Sequence, residues 1–99
     1  MSDKRDWSEL RDRRMAEPGA AEAYEVTRLA FELGKTVREL REGRGWTQVQ
    51  LADAASMTQP AIARFEAGGT MPTLPVLERL AHALGAELVV RLALPSSAA

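Results

Sequence analysis

The chain has 99 residues, with 13 Lys and Arg against 14 Asp and Glu, one His, no Cys and 45% hydrophobic residues. This length supports one small domain, and the lack of Cys excludes disulfides and thiolate metal sites while fitting a reducing compartment. No apolar run approaches the ~20 residues that cross a bilayer, and no zincin pair, complete dinucleotide loop or nucleophile–base pair is present, so neither an enzyme nor a cofactor or metal is expected.

Residues 1–20 form a compositional zone of their own. Residues 6–15, DWSELRDRRM, have helical potential with Trp7, Leu10 and Met15 as apolar side chains, before Glu17, Pro18 and Gly19 break the pattern. The zone has no signal-peptide stretch, so a cytoplasmic location is expected. So few apolar groups do not stabilise a short helix alone. The arm reads either as a solvated terminus or as a helix that orders against a partner, with Trp7, Leu10 and Arg14 as its contact residues.

Beyond the arm, Val26, Leu29, Ala30, Leu33, Val37 and Leu40 recur at spacings of three and four. They predict a helix over residues 21–42 with one buried stripe, about 33 Å long at ~1.5 Å per residue. Gly43 and Gly45 end it. Gly34 inside it costs up to ~1 kcal/mol relative to Ala and suggests a kink or a second helix start.

Three short helices follow. Thr47 and Gln50 make a T-x-x-Q capping box, opening a helix that runs to about Ala55. Thr58 caps the next, with Pro60 in its first turn and an end at Ala67 before two glycines. Thr73 caps the last, with Pro75 in its first turn, Val76, Leu77, Leu80, Ala81 and Leu84 on its buried face, and Gly85 as the stop.

The period then changes from helical to alternating. Leu88, Val90, Leu92 and Leu94 alternate with Glu87, Val89, Arg91 and Ala93, which predicts one strand. A lone strand needs a second edge, and the chain offers no other strand. Pairing with the same strand of a second copy, through Leu88, Val90 and Leu92, predicts a two-fold dimer. The expected organisation is an arm over residues 1–20, a helical domain over 21–85, and a dimerisation strand and tail over 86–99.

Between Gln48 and Ala67, the sequence QVQLADAASMTQPAIARFEA places Leu51, Ala52, Ala55, Met57, Ile62 and Phe65 where two helices cross through a tight turn. Ala52 is small where the second helix approaches. Gln59, Pro60, Ala63 and Arg64 then face outward, the layout of a helix-turn-helix with its second helix offered to the DNA major groove.

From Val37 to Gly85 the chain resembles the phage-repressor-like (XRE/Cro-type) helix-turn-helix family. The matching elements are Arg38 and Arg41, GWTQVQLA, TQPAIARFEAG, Pro72 and LERLAHALG. Ser56 departs from the family, which usually has Gly at this left-handed turn position. The resemblance implies an all-α repressor-like bundle that binds double-stranded palindromic DNA as a dimer. It implies that Gln48 and Thr58 anchor to phosphates and that Gln59 reaches an adenine edge or a phosphate. Arg64 would take a guanine edge or a phosphate, Pro60 and Ala63 thymine methyls, and Arg44 the backbone-contacting face.

The residues themselves leave other roles open. Gln48 and Gln59 also read as solvated first-turn residues, and Arg64 as a surface partner of Glu66 or Asp53. Arg41 reads either as support for the backbone-contacting face or as an internal partner of Glu66. His82 reads as a packing or surface residue.

Residues 21–34, AEAYEVTRLAFELG, and the terminal LVVRL are similar to antitoxins of the HigA type. That similarity implies an mRNA-cleaving RelE/HigB-like toxin as partner and repression of the protein's own operon. A stand-alone regulator without a toxin, and a protein-interaction module without DNA binding, are the alternatives.

The net charge of −1 divides unevenly. Residues 1–33 hold six basic and eight acidic side chains, whereas residues 34–70 hold five basic and four acidic ones. The sum hides an acidic first third beside a slightly basic reading unit, and it does not exclude DNA.

Overall fold

The computed structural model describes residues 18–95. The arm residues Trp7, Leu10 and Arg14 and tail residues 96–99 lie outside them. A turn at Pro18 and Gly19 opens into α1 (Ala20–Gly43), followed by α2 (Gln48–Ala55), α3 (Gln59–Glu66) and α4 (Leu74–Ala83).

The short helices begin where their hydroxyl caps predict. Thr47 accepts from the Gln50 amide at 3.1 Å while the Gln50 side chain accepts from the Thr47 amide at 2.7 Å, completing the capping box. Thr58 accepts from the Ala61 amide at 3.2 Å, and Thr73 from the Val76 amide at 3.4 Å. Every helix also ends in the same way. The bonds Trp46 to Arg41, Met57 to Ala52, Gly69 to Arg64 and Ala86 to Ala81 each close a Schellman motif around a left-handed residue. In α1, α3 and α4 that residue is a glycine. In α2 it is Ser56, at φ 55°, the sole non-glycine with positive φ among the described residues.

The core lies where α2, α3 and α4 meet the second half of α1. Phe65, Leu51, Ile62 and Leu80 are fully buried, joined by Val37, Ala52, Ala55, Leu77 and Leu84. Each of the large side chains contributes about 1.5–3 kcal/mol through loss of water contact. Trp46, Met57, Val76 and Leu33 pack around them, partly buried.

Two expectations for α1 need correction. The helix is continuous through Gly34, with no restart there. Gly34 is instead a seat: an added methyl would overlap the Phe65 carbonyl oxygen and come within 2.9 Å of that of Glu66. α1 therefore rests its backbone directly on the last turn of α3. The predicted buried stripe is also only half covered. Ala30 and Val37 are buried, but Val26, Leu29 and Leu40 are 49%, 43% and 41% exposed. Periodicity marks the apolar face, but the other helices reach only part of it.

The expected C-terminal strand is absent. Residues 86–95 have neither helix nor strand, because a ladder needs a second edge and one chain supplies none. Leu88 turns onto the core, partly buried, while Val90 is 64% and Leu92 97% exposed. The three residues expected to share a pairing face therefore do not share one environment.

Candidate nucleic-acid interface

α2 and α3, eight residues each, are joined by a three-residue turn of Ser56, Met57 and Thr58. The left-handed Ser56 lets the chain reverse at once, and Met57 packs on the core to hold the turn. Buried Leu51, Ala52, Ala55, Ile62 and Phe65 lock the two helices together. Gln59, Pro60 and Arg64 on α3 are exposed, and Ala63 is partly covered.

One hydrogen-bonded chain runs from the interior to this surface. Its root is Glu66, 6% exposed and the one charged residue buried among the described residues. Arg41 grips the Glu66 carboxylate with two bonds, Nε to Oε2 at 2.7 Å and Nη2 to Oε1 at 2.9 Å. It also donates to the Trp46 carbonyl at 2.7 Å. The bond to Glu66 raises the Arg41 pKa above its ordinary value, outweighing the opposing effect of desolvation. Of the two roles open to Arg41, the structure takes the internal one.

The chain continues outward through amides. Gln48 Nε2 donates to Glu66 Oε1 at 3.1 Å, and Gln59 Nε2 donates to Gln48 Oε1 at 2.7 Å. A carboxylate only accepts, so Glu66 dictates that Gln48 turns its NH2 inward and its oxygen outward. That oxygen then demands the NH2 of Gln59. Gln59 is left with a free carbonyl oxygen and one free N–H, and Gln48 with one spare N–H. An acceptor beside a donor matches the N6–H and N7 of adenine.

The remaining predicted residues fall in three places. Thr58 spends its oxygen on the α3 cap and keeps its hydroxyl proton for an outside acceptor. Arg64 makes no ion pair among the described residues, with neither Glu66 nor Asp53. Arg44 lies over the Trp46 ring at 4.3 Å and donates to the Leu84 carbonyl at 3.0 Å, tying the α1–α2 loop to the end of α4. His82 is exposed on α4.

Sequence reasoning named Gln48, Gln59 and Glu66 separately and missed their connection. The one usable signal was the chemistry of Glu66, a carboxylate directly after Phe65 in the closing turn of α3.

A family model described as a helix-turn-helix domain matches residues 32–94. The chain belongs to the helix-turn-helix domain family. Among curated proteins, this member is 40% identical over 53 residues to the competence pilus inhibition repressor of Acinetobacter baylyi, covering 54% of this chain and 48% of that protein. It is 33% identical over 61 residues to human endothelial differentiation-related factor 1, covering 62% of this chain and 41% of that protein. The chain thus spans less than half the length of the curated relatives it matches. No solved structure matches it. Among the described residues, no helix is long and apolar enough to cross a membrane.

Proposed function

We propose that this helix-turn-helix protein is a sequence-specific, non-catalytic DNA-binding repressor that enters the major groove with α3. The observation that carries the reading is the Gln59–Gln48 bond at 2.7 Å, oriented from the buried Glu66. It presents a preset acceptor–donor pair for an adenine edge at the N-terminal end of α3. Gln48 and Thr58, at the starts of α2 and α3, offer N–H and O–H groups to phosphates, helped by the positive helix N-termini. Arg64 is the cation on the same helix for a guanine edge or a phosphate. The similarity to a repressor supports the regulatory role.

The finer reading is a cytoplasmic homodimeric antitoxin that represses its own operon and neutralises a RelE/HigB-like mRNA-cleaving toxin. Its supports are the HigA-like residues 21–34 and the uncovered apolar residues Val89, Val90, Leu92 and Leu94, which a second copy would cover. A dimer would set two α3 helices about 34 Å apart, one turn of DNA. Footprinting on the DNA upstream of the protein's own gene tests the core reading. Wild type should protect a palindrome, and Gln59→Ala with Arg64→Ala should abolish that protection with the fold intact. Normal protection by the double variant would sink the assignment of α3. Co-purification with the product of the adjacent reading frame tests the toxin reading, and a regulator without such a partner is the alternative.

A further inference from the structure

Residues 44–47 link α1 to α2 and fix where Gln48 stands, because Thr47 is the N-cap of α2. Glycine at 43 and 45 leaves this link little stiffness of its own. Gly45 is left-handed at φ 71°, and nothing lies within 4 Å of a methyl added at either glycine. The place of the link is set through Trp46, which is partly buried against the core. The Trp46 amide donates to the Arg41 carbonyl at 3.1 Å, and the Trp46 carbonyl accepts from Arg41 Nη1 at 2.7 Å. On the outer side Arg44 lies over the indole at 4.3 Å and donates through Nη1 to the Leu84 carbonyl at 3.0 Å.

Leu84 is the C-cap of α4, so this carbonyl lies at the negative end of the helix, where a guanidinium is favoured. A methyl added at Gly85 would stand 3.0 Å from Arg44 Nη1. Glycine here both turns the chain and leaves room for the cation. Among the described residues, the bond from Arg44 to Leu84 is the one hydrogen bond that joins this link to α4.

Trp46 also stands at the near end of the bonds that orient the reading surface. The guanidinium that takes its carbonyl is the one that grips Glu66 at 2.7 and 2.9 Å. Glu66 in turn holds Gln48 at 3.1 Å, and Gln48 holds Gln59 at 2.7 Å. A shift of Trp46 therefore acts on Gln48 twice, through the α2 cap that follows it and through Arg41 and Glu66.

We propose that Arg44 is a positioning residue for DNA reading: it clamps Trp46 to the end of α4 and so holds Gln48 and Gln59 in their reading orientation. This role rests on α3 as the reading helix. It stands in place of the contact with the DNA backbone that the family resemblance implies for Arg44, whose charge is already engaged by the indole face and the α4 terminus.

Titrations on the palindrome that wild type protects, and on a scrambled duplex of the same length, test the clamp. Arg44→Ala should bind the palindrome about tenfold more weakly. It should bind the scrambled duplex as wild type does, with an unchanged salt slope. Loss of a phosphate contact would instead weaken both and reduce the slope by about 1. Arg44→Lys keeps the charge but not the planar fork, so it should lose as much as Arg44→Ala. In a Gln59→Ala background, Arg44→Ala should add little further loss, because both variants remove the same contact. Wild-type reading by Arg44→Lys, a reduced salt slope or additive losses would overturn the clamp and leave α3 as the reader. A Gln59→Ala protein that binds the palindrome as tightly as wild type would overturn the reading by α3, and the clamp with it.

Discussion

Gly34→Ala separates two physical effects that act with opposite sign. Helix propensity alone favours the substitution, since Ala is better than Gly by about 1 kcal/mol inside a helix. The packing opposes it. The new methyl would overlap the Phe65 carbonyl oxygen and stand 2.9 Å from the Glu66 carbonyl oxygen. Both are backbone atoms at the end of α3, so no side chain can swing away. Relief requires α1 to lift from α3 by roughly 1 Å, at the upper end of the overpacking range, about 3 kcal/mol. The net expectation is a loss of about 2 kcal/mol, or a fall in Tm of roughly 8–16 °C for a domain of this size. Thermal melting followed by far-UV circular dichroism measures it. Gly43→Ala is the control, since nothing lies within 4 Å of its added methyl; it should gain up to ~1 kcal/mol. A Gly34→Ala protein that melts at or above wild type would refute the seat and return Gly34 to an ordinary weak point.

Other outcomes follow from the same structure. Glu66→Ala leaves the Arg41 guanidinium, 11% exposed, without its carboxylate, and should cost about 3–5 kcal/mol in urea unfolding. Ser56→Gly relieves the left-handed strain at φ 55° and should stabilise by about 0.5–1 kcal/mol after the entropy cost of glycine; a lower urea midpoint would contradict this. Gln59→Ala should weaken binding to the specific operator by about 10–100-fold and leave non-specific binding nearly unchanged, as titrations on both DNAs would show. Val90→Asp with Leu92→Asp should yield a monomer by sedimentation equilibrium, with operator affinity falling steeply; an unchanged mass would exclude these residues from a dimer interface.

Helix boundaries were legible because their causes are local. Thr47, Thr58 and Thr73 open helices, and Gly45, Gly68 and Gly85 provide the left-handed positions that close them. The core of the helix-turn-helix was legible for the same reason, since Leu51, Ile62 and Phe65 follow helical spacing. Non-local facts were not. Gly34 reads as a defect until α3 is placed against it. Val26 and Leu29 read as buried because periodicity reports a face and not what lies upon it. The alternation after Gly85 signals readiness to pair, but pairing needs a second edge. In the candidate site, the residue types of Gln48 and Gln59 were informative. Their joint orientation was not, because it comes from a carboxylate on another helix turn.

The buried carboxylate also carries an evolutionary consequence. A lone glutamine on a protein surface is free to rotate and can be exchanged without regard to its neighbours. Gln59 cannot, because any replacement that does not donate leaves the Gln48 oxygen without its 2.7 Å partner. A relative that reads a different letter at this point of its operator should therefore change positions 48 and 59 as a pair, or choose at 59 another donor such as Arg or Lys. Glu66 and Arg41 meanwhile stay fixed beneath them. The vocabulary of such readers is constrained from below, by one negative charge held out of water.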